Sequence, residues 1–249
     1  FPEFLKKNGT IGFVAPSFGC NREPYKTSFE HALEKFHSMG YQTTLGPNCF
    51  EGSGIGISNT PEKCAAELNK MYLSDEADAL ISCGGGELMC EILDDVDFDA
   101  IKAAKPKWYM GYSDNTNFTF LLTTICDVAS IYGPCAGTFG MEPWDESIED
   151  CFSLFTGKKL AMQSYPRWEK EGLRDEEHPL EPYNLTEQSL VRSFMTKKDQ
   201  AGEVQAFETE GTIEFKGRLI GGCMDCLVNL TGTKFDQVKS FNERYKEDG

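Results

Sequence analysis

The chain has 249 residues, of which 40% are hydrophobic, a size and composition that suit one large or two modest globular domains. With 40 acidic against 24 basic side chains the formal net charge is −16, a field that repels nucleic acid and anionic membrane surfaces and argues against phosphate tracking. No run approaches the roughly 20 consecutive apolar residues of a spanning helix, and the opening FPEFLKKNGT has no secretory apolar core, although a first residue of Phe1 is compatible with a removed leader.

Hydrophobic periodicity and cap residues predict alternating strands and helices from the start of the chain to about residue 135. Thr10 to Ala15 reads as a strand, Tyr25 to Met39 as a helix closed by Gly40, Tyr41 to Leu45 as a short strand, and Pro61 to Tyr72 as a second helix. Ala77 to Cys83 is the next strand, running into Gly84-Gly85-Gly86. Lys107 to Gly111 then forms a strand, Asn117 to Ile125 an apolar-rich helix, and Ala129 to Tyr132 another strand. Such alternation implies a parallel sheet covered on both faces. From Glu142 to Lys198 a helix gives way to an irregular, charged and proline-containing linker. Paired strands are expected over Gly202 to Phe215, a further strand over Arg218 to Gly222, and helices over Met224 to Leu230 and Phe235 to Lys246. These boundaries divide the chain into an α/β domain over 1–160, a linker over 161–200, and the start of a smaller domain over 201–249.

The segment KPKWYMGYSDNT, residues 105–116, carries the most chemical content. It turns from strand to helix at Ser113, the place where α/β enzymes present a nucleophilic hydroxyl beside the free N–H groups of a helix start. Ser113, Asp114, Asn115 and Thr116 are also good N-cap residues, so the same cluster reads equally as a plain helix start. Gly84-Gly85-Gly86 lets backbone N–H groups approach a ligand. In an open α/β sheet this loop and Ser113 share the carboxyl edge of the strands. An oxyanion hole would use the N–H of Gly85 or Gly86 with that of Asp114; a tight turn is the alternative. The loop does not follow G-x-G-x-x-G spacing, so a dinucleotide fingerprint fits poorly.

A serine nucleophile needs a base. The histidines are His31 and His37 on the first predicted helix, which read as surface or packing residues, and His178 in the acidic linker, which would have to fold back. Lys105 or Lys107 could in principle form a Ser–Lys pair. Asp94, Asp95, Asp97 and Asp99 do not follow calcium-loop spacing and read as caps and solvated charges. The ten cysteines, among them Cys20, Cys49, Cys83, Cys90 and Cys135, are scattered without framework spacing, as in a reducing compartment. Cys223 and Cys226 form a single C-x-x-C; with no second pair, structural use is the better reading than zinc or redox chemistry.

Taken together, IGFVAPS near the start, SCGGGE after the third strand, the GYSDNT elbow and GRLIGGCMDCLVNLTGT near the end resemble the LD-carboxypeptidase family of serine peptidases over nearly the whole chain. The long aromatic and charged linker is similar to the branch that includes microcin C self-immunity peptidases. The resemblance implies a flavodoxin-like or amidotransferase-like nucleophile domain joined to a smaller C-terminal α+β domain that is incomplete here. It implies cytoplasmic hydrolysis of an amide beside a D-amino acid in murein peptides, or of a peptidyl-nucleotide, by a homodimer that uses no metal and no cofactor. On this match Ser113 is the nucleophile, the backbone of Asp114 one oxyanion donor, and Gly85 or Gly86 the other. Trp168, or Trp144, would stack on a nucleotide base. The family's remaining triad members, a Glu and a His, lie beyond the helix that here ends at NERYKEDG, and no residue of this chain matches them. A further C-terminal segment is therefore expected, without which apolar surface and open strand edges would be exposed. A noncatalytic α/β module that holds a small anion or peptide carboxylate is the rival from a different class.

Overall fold

A computed structural model describes residues 1–53, 56–209, 211 and 213–247. Five parallel strands form its centre: β1 (Thr10–Val14), β2 (Gln42–Leu45), β3 (Ala79–Ser82), β4 (Tyr109–Gly111) and β5 (Ile131–Tyr132), in the order β2-β1-β3-β4-β5. This is the flavodoxin-like order, in which the winding reverses between β1 and β3 and leaves a crevice at their carboxyl ends. The register pairs Phe13 with Ile81 and Ile81 with Met110, so strand ends converge on one edge.

Side chains that alternate along each strand enter opposite cores. Ile11, Phe13, Ile81 and Met110 face one core, filled by Phe29 and Phe36 of helix α1 (Tyr25–Ser38) and by Phe152 and Phe155 of the later helix over Glu146–Phe155. Val14, Leu80 and Tyr109 face the other, filled by Leu68 and Met71 of α2 (Pro61–Leu73), Phe98 and Ile101 of α3 (Phe98–Ala103), and Phe118 and Leu121 of α4 (Thr116–Thr124). The helix over Glu146–Phe155 is α5. Pro61 at the first turn and Thr60 before it start α2 where the sequence places it. α3 is too short to show periodicity; Asp97 caps it by accepting from Ala100 N–H at 2.9 Å.

The C-terminal part departs further from expectation. A hairpin pairs β6 (Arg167–Trp168) with β7 (Glu187–Gln188) inside the stretch read as irregular. The second hairpin joins β8 (Phe194–Lys198) to β9 (Val204–Glu208), so the partner of the expected strand lies in the linker rather than after residue 208. Residues 210 and 212 of the expected strand pair lie outside the described residues. Arg218 to Gly222 is irregular, because no neighbouring strand offers a hydrogen-bond ladder and Gly222 turns at φ +152°. The helices α6 (Met224–Leu230) and α7 (Val238–Tyr245) form as predicted. Among the described residues no helix is long and apolar enough to cross a membrane.

Candidate active site

Ser113 follows β4 directly, and its backbone sits at φ +61°, a left-handed conformation that L side chains rarely adopt. Tyr112 before it is extended, and a 3-10 turn over Ser113–Asn115 leads into α4. The reversal takes one residue, which leaves the Ser113 side chain half-buried while Asp114, Asn115 and Thr116 are buried. Its N–H donates to Tyr132 Oη at 3.1 Å, and its carbonyl accepts from Cys226 Sγ at 3.7 Å.

The glycine loop lies opposite. A Cβ placed on Gly85 would stand 2.9 Å from Ser113 Cβ and 3.4 Å from its Oγ, so only glycine leaves room between loop and hydroxyl. Two side chains of the elbow hold that loop in place. Asn115 Nδ2 donates to the Gly84 carbonyl at 3.1 Å while its Oδ1 accepts from Tyr109 Oη at 2.5 Å. The Asp114 carboxylate accepts from Gly86 N–H at 2.8 Å, from Met89 N–H at 3.3 Å, and from Ser17 Oγ in a short contact. Burial pushes the Asp114 carboxyl above its ordinary value, and the three donors oppose that shift. Ser17 follows β1, so the loops after β1, β3 and β4 meet at one carboxylate.

The four residues predicted around the serine, Ser113, Asp114, Gly85 and Gly86, are thus neighbours. The Gly86 N–H is occupied by the Asp114 side chain, which leaves Gly85 as the loop residue facing Ser113 Oγ. Trp168 lies elsewhere, 49% exposed, on a cavity of about 320 Å³ lined also by Glu146, Tyr165, Arg167 and Tyr183. Tyr183 lines this cavity, and the Arg174 guanidinium, 5.6 Å above the Tyr25 ring, opposes the upward push that burial gives the Tyr112 hydroxyl. Trp144 is unavailable for stacking: it packs between Phe139 and Phe152, donates Nε1–H to Phe139, and carries Lys35 over its ring.

The candidate bases each have partners other than the serine. His31 Nδ1 contacts the Gly140 carbonyl at 2.8 Å, His37 Nε2 contacts Thr43 Oγ1 at 2.7 Å, and His178 Nδ1 contacts Asp175 at 3.0 Å. Lys107 lies at the opposite end of β4 from Ser113 and donates to the Ser74 carbonyl; Lys105 lies 3.4 Å from Glu3. Asp94 pairs with Lys234 at 2.6 Å. Sequence reasoning missed Ser17 and Tyr132; the first stands in the IGFVAPS motif at the switch-point strand, whereas the second shows no local signal.

A five-stranded parallel sheet of flavodoxin order, with a left-handed serine at the carboxyl edge of its strands, defines a flavodoxin-like α/β protein. Residues 11–133 match the LD-carboxypeptidase N-terminal domain, so the chain carries a domain of that type over just under half of its length. Among curated relatives, the microcin C7 self-immunity protein MccF of Escherichia coli is 27% identical over 237 residues, which covers 93% of this chain and 63% of that protein. The probable murein peptide carboxypeptidase of Bacillus subtilis (strain 168) is 29% identical over 140 residues, 55% of this chain and 41% of that protein. The solved structure of MccF in complex with aspartyl sulfamoyl adenosine superimposes with a TM-score of 0.71 at 23% identity, covering 94% of this chain and 66% of the other. An MccF-like protein from Streptococcus pneumoniae in complex with AMP gives 0.67 at 16% identity, covering 96% and 67%. At these identities the likeness is one of fold. The chain spans 63% of the length of the E. coli relative.

Proposed function

We propose that the chain is the nucleophile-bearing part of a serine hydrolase of the LD-carboxypeptidase type. Ser113 Oγ attacks the carbonyl carbon of an amide to a C-terminal D-amino acid in a murein tetrapeptide. The N–H groups of Gly85 and Asp114 hold the oxyanion, and the amine leaves with a proton. The acyl-serine is then cleaved by water, which returns the hydroxyl. The family resemblance assigns the proton transfers to a Glu–His pair. Among the described residues the three histidines have the other partners given above, so the chain's own contribution is nucleophile and oxyanion donors. The expected setting is the cytoplasm, with a homodimer acting in murein peptide recycling. The observation that supports this reading is the strained Ser113 facing Gly85 across a side-chain-free gap.

The test compares D-amino-acid release from murein tetrapeptide by the full gene product and its Ser113→Ala variant. Removal of a serine nucleophile is expected to lower kcat by on the order of 10⁶-fold. Equal rates would remove Ser113 from the mechanism, and ligand binding without labelling of Ser113 by a fluorophosphonate would favour the noncatalytic module.

A second reading, hydrolysis of a peptidyl-nucleotide, draws support from Trp168 on its open cavity and from Arg174 over the Tyr25 ring, an aromatic face and a cation that suit a base and an anionic group. Stacking on one base is worth about 1–3 kcal/mol, so Trp168→Ala should weaken competition by AMP by about 5- to 150-fold. An unchanged inhibition constant, or no competition by AMP at all, would sink this reading.

A further inference from the structure

The C-x-x-C pair, which the sequence alone reads as structural, lies against the nucleophile turn. Gly222 approaches Thr116 so closely that a Cβ on it would stand 2.5 Å from Thr116 Oγ1, and the next N–H, that of Cys223, donates to that hydroxyl at 2.8 Å. One turn later, Cys226 Sγ donates to the Ser113 carbonyl at 3.7 Å. Both thiols are half-buried and both are free. The Cys223 backbone N–H and the Cys226 thiol thus reach the first residue of α4 and the strained serine itself.

We propose that Cys223 and Cys226 are a redox-active dithiol whose oxidation to a disulfide slows the reaction of Ser113. The geometry dictates the consequence. Cys223 is the extended residue just before α6 and Cys226 lies in its first turn, and a disulfide between them requires Cβ atoms about 3.5–4.5 Å apart and an S–S bond near 2.05 Å. Closing the bond therefore tightens the turn that starts α6. Cys226 Sγ loses its hydrogen and turns away from the Ser113 carbonyl, and the Cys223 N–H is pulled off Thr116. The left-handed conformation of Ser113 then loses a hydrogen bond that restrains it.

The oxidant is a low-molecular-weight disulfide. The Cys223 thiolate attacks one of its sulfurs to form a mixed disulfide, and the first small thiolate leaves. Cys226 then attacks Cys223 Sγ, and the second small thiolate leaves with the Cys226 proton; two electrons pass from the protein to the small disulfide. Burial, and then the neighbouring Cys223, push the Cys226 thiol up to about 12, which makes Cys226 a poor first nucleophile.

The link to catalysis rests on the proposed role of Ser113, so the test has two independent readouts. The chain is equilibrated in glutathione buffers of increasing oxidised fraction, and its disulfides are mapped by peptide mass spectrometry. Labelling of Ser113 by a fluorophosphonate and hydrogen exchange of the 113–117 amides are followed in parallel. The expected result is a Cys223–Cys226 disulfide, faster exchange at 113–117, and labelling slowed by about three- to tenfold, the effect of one hydrogen bond, with recovery in dithiothreitol. Cys223→Ser and Cys226→Ser should abolish the response to oxidant. Absence of this disulfide, or pairing of Cys226 with the nearby exposed Cys90, overturns the dithiol. A disulfide that changes neither exchange nor labelling overturns the switch. If Ser113 is unlabelled even when reduced, the nucleophile reading fails by itself, and exchange alone decides whether the dithiol acts on the turn.

Discussion

At φ +61° a serine stores strain that an ordinary helix start would not need. A left-handed residue with a Cβ costs about 1–2 kcal/mol, a cost glycine largely avoids. Ser113→Ala and Ser113→Gly should both be inactive, but the glycine variant should be more stable than the alanine variant by about 1 kcal/mol in urea unfolding. Equal stabilities would mean that the turn is relaxed and that the position is a simple cap. The same residue shows why the sequence left two readings open: Ser, Asp, Asn and Thr suit a cap, and only the backbone angle and the contact with Gly85 separate a cap from a presented hydroxyl.

Between elements, the Asp114 carboxylate ties the loops after β1 and β3 to the start of α4, through Ser17 Oγ, Gly86 N–H and Met89 N–H. Asn at this position would turn an NH₂ toward one of three donors, and a buried donor left unpaired costs about 1–3 kcal/mol. Asp114→Asn is expected to be destabilised by that amount, and Ser113 labelling should slow because the glycine loop loses its tether. The pH dependence has a definite sign. Burial raises the folded carboxyl above its ordinary 3.8, so the aspartate's stabilising contribution is full below that value and declines as pH rises through the folded value. The advantage of the natural protein over the variant should therefore narrow from acid toward neutral pH. A gap that widens over that range would show that the ionised form is the better fitted to the site.

Across the whole molecule, legibility follows how local each signal is. β1 to β5 and the helices α1, α2 and α4 were readable because apolar periodicity and Gly or Pro boundaries lie within each segment. Strand–helix alternation implied a parallel sheet and the family resemblance its flavodoxin-like or amidotransferase-like class, whereas the order β2-β1-β3-β4-β5 came from the structure, β8 was hidden in charged sequence and Arg218–Gly222 was overread, since strand pairing depends on a partner elsewhere in the chain. Likewise the Tyr132 and Cys226 contacts to Ser113 span 19 and 113 positions and leave no trace near the serine. Burial also divides the chain: residues 10–155 supply nearly all of both cores, while every residue of β8 and β9 is exposed, and Leu190 and Val191 are 82% and 74% accessible. The division into a domain over 1–160, a linker over 161–200 and a second unit over 201–249 stays a proposal, and Leu230 of the last segment packs into the second core. Limited proteolysis should then cut first between residues 160 and 222, where few contacts to the sheet resist local opening, and leave a folded fragment ending near residue 160. First cuts within β1 to α5, or loss of the N-terminal fragment together with the linker, would show that the chain unfolds as one unit and that the division is wrong.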